Sequence, residues 1–307
     1  MLVIYMPMNK VTIHTCPLCG DTRLERALTC VDHYATGEMF HLCRCTRCGF
    51  LFTQDFPPEK EIGRYYEAPD YISHTDTRRG AMNRVYHWVR RYMLGRKARL
   101  VERAAHRRSG RLLDIGTGTG YFPHTMDRRG WTVEAVEKSP QARAFAQEHF
   151  GLNVLPDEAL AMLDEGRYDV ITLWHVMEHL EHLNDVWERL HRLLTERGTL
   201  IVAVPNCSSF DADRYGAYWA AYDVPRHLWH FTPDTMQQLA SKHGFIMAER
   251  HPMPFDAFYV SMLSEKHMRR SMTFLRGMFV GTLAWLSALV RKERSSSMIY
   301  VFRKKSL

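Results

Sequence analysis

RLLDIGTGTG, residues 111–120, is the stretch on which the fold turns. Leu112, Leu113 and Ile115 make a short buried strand, and glycines at 116, 118 and 120 then force a tight turn. A helical pattern begins at about Tyr121, so the segment reads as strand, glycine loop, helix. Working outward, TVEAVE (132–137) is a second strand, and Ser139 with Pro140 caps a helix that Gly151 ends. NVL (153–155) is a third strand. YDVITLWHV (168–176) is a fourth, followed by a helix with Leu183, Val186, Trp187, Leu190 and Leu194 inward. TLIVAVP (199–205) is a fifth. Thr232-Pro233 starts a helix that ends near Gly244, FIMAER (245–250) is a sixth strand, and SMIYVFR (297–303) is a last one. Such alternation specifies an α/β fold, a parallel sheet covered by helices on both faces.

The loop chemistry narrows the ligand. A dinucleotide fingerprint needs its third glycine at position 121, where this chain has Tyr121. Asp114 puts a carboxylate at the loop mouth, which repels a pyrophosphate and welcomes a ligand with an ammonium and a sulfonium. S-adenosylmethionine is such a ligand. Glu137 ends the second strand, where its carboxylate suits both ribose hydroxyls.

The 307-residue chain has ordinary globular composition, 46% hydrophobic and 24% charged. Its opening, MLVIYMPMNK, does not read as a signal peptide. Six of the seven cysteines fall between Cys16 and Cys48, including two Cys-x-x-Cys-Gly knuckles, CPLCG (16–20) and CTRCG (45–49). Cys16, Cys19, Cys45 and Cys48 offer four thiolates to one structural Zn²⁺ in a closed tetrahedral site. Clustered thiols of this kind suggest a reducing, cytoplasmic setting. The formal charge of +7 is uneven: residues 78–111 carry twelve Arg or Lys and one acid, Glu102. That segment suits either a solvated helix face or an anionic partner. The apolar run Gly277–Val290, 14 residues, is too short to span a bilayer and is expected to cover the core or the active site, with peripheral membrane contact as a lesser reading. Three regions result: a zinc ribbon (1–55), a connector with basic helices (56–108), and a ligand-binding domain (109–307) with a helical insertion at about 255–293.

Taken together, DIGTGTG, the acid of VEAVE, YDVITLWHVMEHL and the AVPN strand end resemble class I S-adenosylmethionine-dependent methyltransferases, over roughly residues 85–250. HVMEHL is similar to the ubiquinone-biosynthesis O-methyltransferase group, and the CPLCG…CTRCGF…YYEAPDYISH head resembles bacterial zinc-ribbon methyltransferases. The resemblance implies a Rossmann-like sheet of order 3-2-1-4-5-7-6 with the last strand antiparallel. It implies that Gly116, Thr117, Gly118, Gly120, Tyr121 and Phe122 border the cofactor, with Glu137 on the ribose and Lys138 beside it. Asp157 or Glu158 would reach the adenine, Trp174 and His175 would line the cofactor and face the acceptor, and Tyr65, Tyr66, Tyr71, Ser73 and His74 would form a lid.

Transfer to a hydroxyl or acidic carbon needs a base, and histidine suits that near neutral pH. His175 is the first candidate, then His227, with His179 and His230 behind them; Arg226 suits an anionic acceptor. Glu178, Glu181 and His182, spaced to share a helix face, suit a divalent metal or simply a solvated acidic helix start. The leading expectation is a methyltransferase acting on a small molecule by O- or C-methylation. The alternatives are an RNA methyltransferase using segment 78–111, and a zinc-bearing binding protein without activity.

Overall fold

A computed structural model describes residues 10–66 and 81–305, with the backbone alone for 81–89. Tyr71, Ser73 and His74 of the expected lid lie outside the described residues.

The main sheet contains β4 (Arg111–Ile115), β5 (Thr132–Val136), β6 (Val154–Leu155), β7 (Tyr168–Trp174), β8 (Leu194–Pro205), β10 (Phe245–Pro252) and β11 (Ser297–Lys304). Its order is β10-β11-β8-β7-β4-β5-β6. β4 is parallel to β5 and β7, and β11 is antiparallel to both β8 and β10. Counted from β4, this is the 3-2-1-4-5-7-6 order with an antiparallel last strand. The centre is buried on both faces: Leu112, Leu113, Val170, Ile171, Leu200 and Ile201 are wholly inaccessible. Five helices connect or cover its strands: α1 (Ala81–Ala104), α2 (Tyr121–Asp127), α3 (Pro140–Phe150), α4 (Leu183–Leu193) and α6 (Pro233–Lys242). Ser139 caps α3 with its side chain and Gly151 closes it at φ 67°. Leu194, expected inside α4, instead begins β8 opposite Tyr168.

The N-terminal knuckles carry a second sheet of β1 (Leu24–Val31), β2 (Met39–Cys45), β3 (Leu51–Gln54) and β9 (Trp229–His230). The fourth strand comes from RHLWHF, some 180 residues downstream, paired to β3 at Leu51↔His230 and Phe52↔Trp229. Phe50 stacks on Trp229 at 6.2 Å, and Phe50, Phe52 and Phe56 share one core with Leu173, Trp229 and Phe231. The knuckles therefore pack as a wall of the larger domain.

A helical pair, α7 (Asp256–His267) and α8 (Thr273–Val290), precedes β11, and α5 (Phe210–Tyr215) packs below it. Gly277 and Gly281 let α8 lie against α7; a Cβ on either would stand 2.6 and 2.8 Å from Met262 Cα and Phe258 Cα. α8 is 18 residues long, so it exceeds the 14-residue apolar run of the sequence, and by length and composition alone it could cross a membrane, with 28% of it buried. Its inward face is small and buried; its outward face is apolar and exposed at Phe274, Leu275, Phe279, Leu286, Leu289 and Val290.

Candidate functional site

The glycine loop joins β4 to α2. Gly116, Gly118 and Gly120 have φ of 68°, 58° and 84°. A Cβ at Gly116 would meet Val176 Cγ2 at 2.4 Å, whereas one at Gly118 would meet nothing within 4 Å. The loop thus backs onto the turn after β7 at its first glycine and faces open space at its second. Asp114, 2% exposed, accepts a 2.6 Å hydrogen bond from Thr172, and burial pushes its carboxyl up to about 6. Glu137 borders the same loop, accepting from Gly118 N at 2.7 Å and Ser139 N at 2.9 Å. Each of its oxygens retains a lone pair for a ribose hydroxyl. Phe122 packs edge-on against Trp174, whose buried Nε1 has no hydrogen-bond partner. Two carboxylates, an orphan indole donor and an open glycine suit a polar cation such as S-adenosylmethionine, which sets the fit of that cofactor to these residues.

Other expected contacts fall around it. Tyr121 covers Phe145 and Phe150 of α3, and Lys138 pairs with Glu59 at 2.6 Å on the surface. Thr117 follows Gly116 in the loop, and Asp157 and Glu158 open the turn after β6. Lys97, absent from the sequence reading, places its ammonium 4.3 Å above the Trp174 ring and within electrostatic reach of Asp114 and Asp256; burial lowers its pKa. Nothing in the local pattern of α1 marks it, because its partners come from β4 and α7.

Beyond β7 the chain bends sharply, with His175 at φ 58°. Its Nδ1 lies 3.5 Å from Glu178 and its Nε2 3.4 Å from Asp256. Burial works to lower its pKa, but the two carboxylates outweigh burial and push it up to about 9. His175 is therefore an imidazolium at neutral pH, which opposes the role of base and fits that of cation and proton donor.

Glu178 does not start a helix with Glu181 and His182. Met177–His179 is a single 3-10 turn and α4 begins only at Leu183, so the shared face does not form. Glu181 accepts from the Glu59 backbone instead. Glu178 points inward, wholly buried, toward His175, His179 and His227. His179 Nδ1 lies 3.0 Å from Arg226 O and 3.3 Å from the Tyr66 hydroxyl, and burial beside His227 pushes its pKa down to about 4. His227 Nδ1 lies 2.8 Å from Ala221 O, and its ring meets His179 edge-on at 4.5 Å.

Arg226 is not available to an acceptor. Its guanidinium is wholly buried, with Nε and Nη2 on Asp223, Nη2 also on Asp32, and Nη1 on Tyr65 O at 2.6 Å. It ties the first sheet and the connector to the loop that carries His227. His230 is likewise structural in its surroundings: it is 3% exposed on β9, its Nε2 lies 3.1 Å from Thr53 Oγ1, and burial pushes its pKa down to about 3.

The four knuckle sulfurs all lie within 4.8 Å of one another, with Cys16 and Cys48 at 3.6 Å and Cys19 and Cys45 at 3.5 Å. A tetrahedral Zn²⁺ with roughly 2.3 Å bonds needs sulfurs about 3.8 Å apart, so the donor set and spacing fit. Gly20 and Gly49, both at positive φ, donate back to Cys16 O and Cys45 O to close the knuckles. On the outer side of α1, Arg96, Arg99, Arg103, Arg107 and Arg108 surround an open hollow of about 970 Å³, none of whose lining residues belongs to the loop or the histidine cluster.

Comparison with known proteins gives the family. Residues 87–249 match the methyltransferase domain family. Ubiquinone biosynthesis O-methyltransferase of Azorhizobium caulinodans is 30% identical over 158 residues, 48% of this chain and 62% of that one. Its counterpart in Cereibacter sphaeroides is 31% identical over 159 residues, covering 48% and 64%. The match thus spans under two thirds of these curated relatives. Among solved structures, phosphoethanolamine N-methyltransferase 2 of Haemonchus contortus with S-adenosyl-L-methionine superposes with TM-score 0.51 at 18% identity, over 83% of this chain and 63% of that one. The 1,6-didemethyltoxoflavin-N1-methyltransferase of Burkholderia thailandensis with S-adenosylhomocysteine gives 0.50 at 15%, over 86% and 99%.

Proposed function

We propose, from the premise that the chain belongs to the methyltransferase domain family, that it transfers the methyl group of S-adenosylmethionine to a small-molecule oxygen or carbon acceptor. One observation carries the reading: Asp114 and Glu137 border a single three-glycine loop whose first glycine backs onto the turn that presents His175 and Glu178. The cofactor supplies an activated methyl group, and the protein supplies alignment and a dry site. Glu137 would hold the ribose, the backbone at Gly118 leaves room for the methionine end, and Trp174 would offer its free indole N–H. The acceptor would enter beside His175. His175, held charged between Glu178 and Asp256, would orient the acceptor by donating a hydrogen bond rather than take its proton.

The relatives named for ubiquinone biosynthesis support a ring hydroxyl as the acceptor. The exposed apolar face of α8 supports a lipid-linked acceptor met at a membrane surface. Zinc at the four cysteines would shape the wall behind the cluster rather than take part in transfer, and metal-held thiolates suit a reducing cytoplasm. An RNA acceptor draws support from the arginine hollow on α1, but that hollow shares no residue with the glycine loop or the histidine cluster.

The test is twofold. Calorimetry with S-adenosylhomocysteine should show binding that Glu137→Ala weakens at least tenfold. Labelled S-adenosylmethionine in fractionated extract should mark a small extractable molecule; label confined to RNA, or binding of NAD in place of the thioether nucleoside, overturns the reading.

A further inference from the structure

Glu178, His179 and His227 each offer one ligand atom, and the three atoms lie within 4.8 Å of one another. Glu178 is 0% exposed and both carboxylate oxygens lack a hydrogen-bond partner. A buried ionised carboxylate in that condition needs a cation. The nearest one, His175, stands at 3.5 Å and is shared with Asp256. Each of the other two rings has its Nδ1 beside a backbone carbonyl, Arg226 O for His179 and Ala221 O for His227. A carbonyl only accepts, so Nδ1 carries the proton and Nε2 keeps its lone pair. That outer hydrogen bond is how proteins orient and fix the tautomer of a metal-binding histidine.

The supporting shell is rigid. Arg226, whose carbonyl orients His179, is itself locked by Asp32, Asp223 and Tyr65 O. Asp223 Oδ2 lies 3.8 Å from His227 Nε2, close enough to hold a coordinated water, though its charge is already matched by Arg226. Two imidazoles and one carboxylate suit a divalent transition-metal ion of the zinc, iron or manganese kind, with positions left over for exogenous oxygen. We infer that Glu178, His179 and His227 form a second metal site, distinct from the four cysteines. Only its placement beside the acceptor rests on the methyltransferase reading; the binding itself does not.

The test is metal counting on the full chain. Protein carrying one zinc at the cysteines is dialysed against Co²⁺, desalted and assayed by elemental mass spectrometry and visible absorption. A thiolate site gives intense sulfur-to-cobalt charge transfer, and a nitrogen and oxygen site gives weak ligand-field bands alone. The expected result is a second equivalent with weak bands, lost in Glu178→Gln and in His227→Gln while the first equivalent stays. Retention of the cysteine-bound metal serves as the folding control. A native chain that takes up one equivalent only overturns the inference, whatever the variants do. So does a second equivalent that survives in both variants. Neither outcome touches S-adenosylhomocysteine binding, so failure here and failure of the methyl-transfer reading are separable.

Discussion

At the scale of single residues, two glycines separate packing from binding. Gly116→Ala must place a methyl 2.4 Å from Val176 and hold a left-handed φ, so it should cost about 2–4 kcal/mol in chemical denaturation. Gly118→Ala meets open space and bears only the φ penalty, about 1–2 kcal/mol. If that open space receives the cofactor, Gly118→Ala should lower S-adenosylhomocysteine affinity more than its stability cost explains. Equal loss in both measurements would remove the loop from the binding site. His175 gives a pH signature. Its pKa is raised to about 9, so its pairing stabilises the fold fully below the unfolded value of about 6.5 and is lost as pH climbs through 9. Asp256→Asn should pull the His175 ring titration, read by NMR, down by more than one unit and flatten that part of the stability profile. Sequence could nominate His175 but not its charge, because Asp256 sits on α7, 81 residues away. The same limit explains Arg226: a lone arginine beside histidines looks available until Asp32 and Asp223 close on it.

At the scale of elements, the main sheet was readable because each central strand is a short apolar run bounded by turn residues or helix caps. Asp114, Ser139-Pro140, Gly151 and Thr232-Pro233 marked boundaries that the structure keeps. β9 was not readable: two residues inside a loop have no periodicity, and their partner β3 lies 178 residues away. That pairing makes a prediction. A metal at the knuckles would hold the ends of β2 and β3, β3 pairs with β9, and β9 begins two residues after His227. Cys45→Ser, or chelation, should therefore expose backbone amides of Leu51–Thr53 and Leu228–Phe231 to hydrogen exchange together, while β4, β7 and β8 stay protected. Protection lost in β3 alone would show that the RHLWHF segment stands without the knuckles.

At the scale of the whole molecule, the outstanding feature is α8. Its inward face is fixed by the Gly277 and Gly281 contacts with α7, so it is not a helix free to be surrounded by lipid. Its outward face exposes Phe274, Leu275, Phe279, Leu286, Leu289 and Val290 along one side. Cations stand at its ends and near its start: Arg269, Arg270, Arg276, Arg291 and Lys292, none of them in an ion pair among the described residues. The neighbouring acid Glu293 is taken by Arg250 at 2.7 Å. An apolar face framed by unpaired cations matches the headgroup and acyl boundary of an anionic bilayer, where each cation adds about 1 kcal/mol and the ring of Phe279 another 1–2. A second copy of the chain would bring the same cations together and be repelled. The protein should thus sediment with vesicles containing a third phosphatidylserine, at least tenfold more than with neutral vesicles, and less as salt rises. Phe279 is 66% exposed, so Phe279→Glu should leave the melting temperature unchanged and reduce sedimentation at least tenfold. Equal binding to neutral and anionic vesicles would remove the cations from the argument. A concentration-dependent dimer that Phe279→Glu dissolves would give the face to a second copy, and with it would fall the support α8 lends to a lipid-linked acceptor.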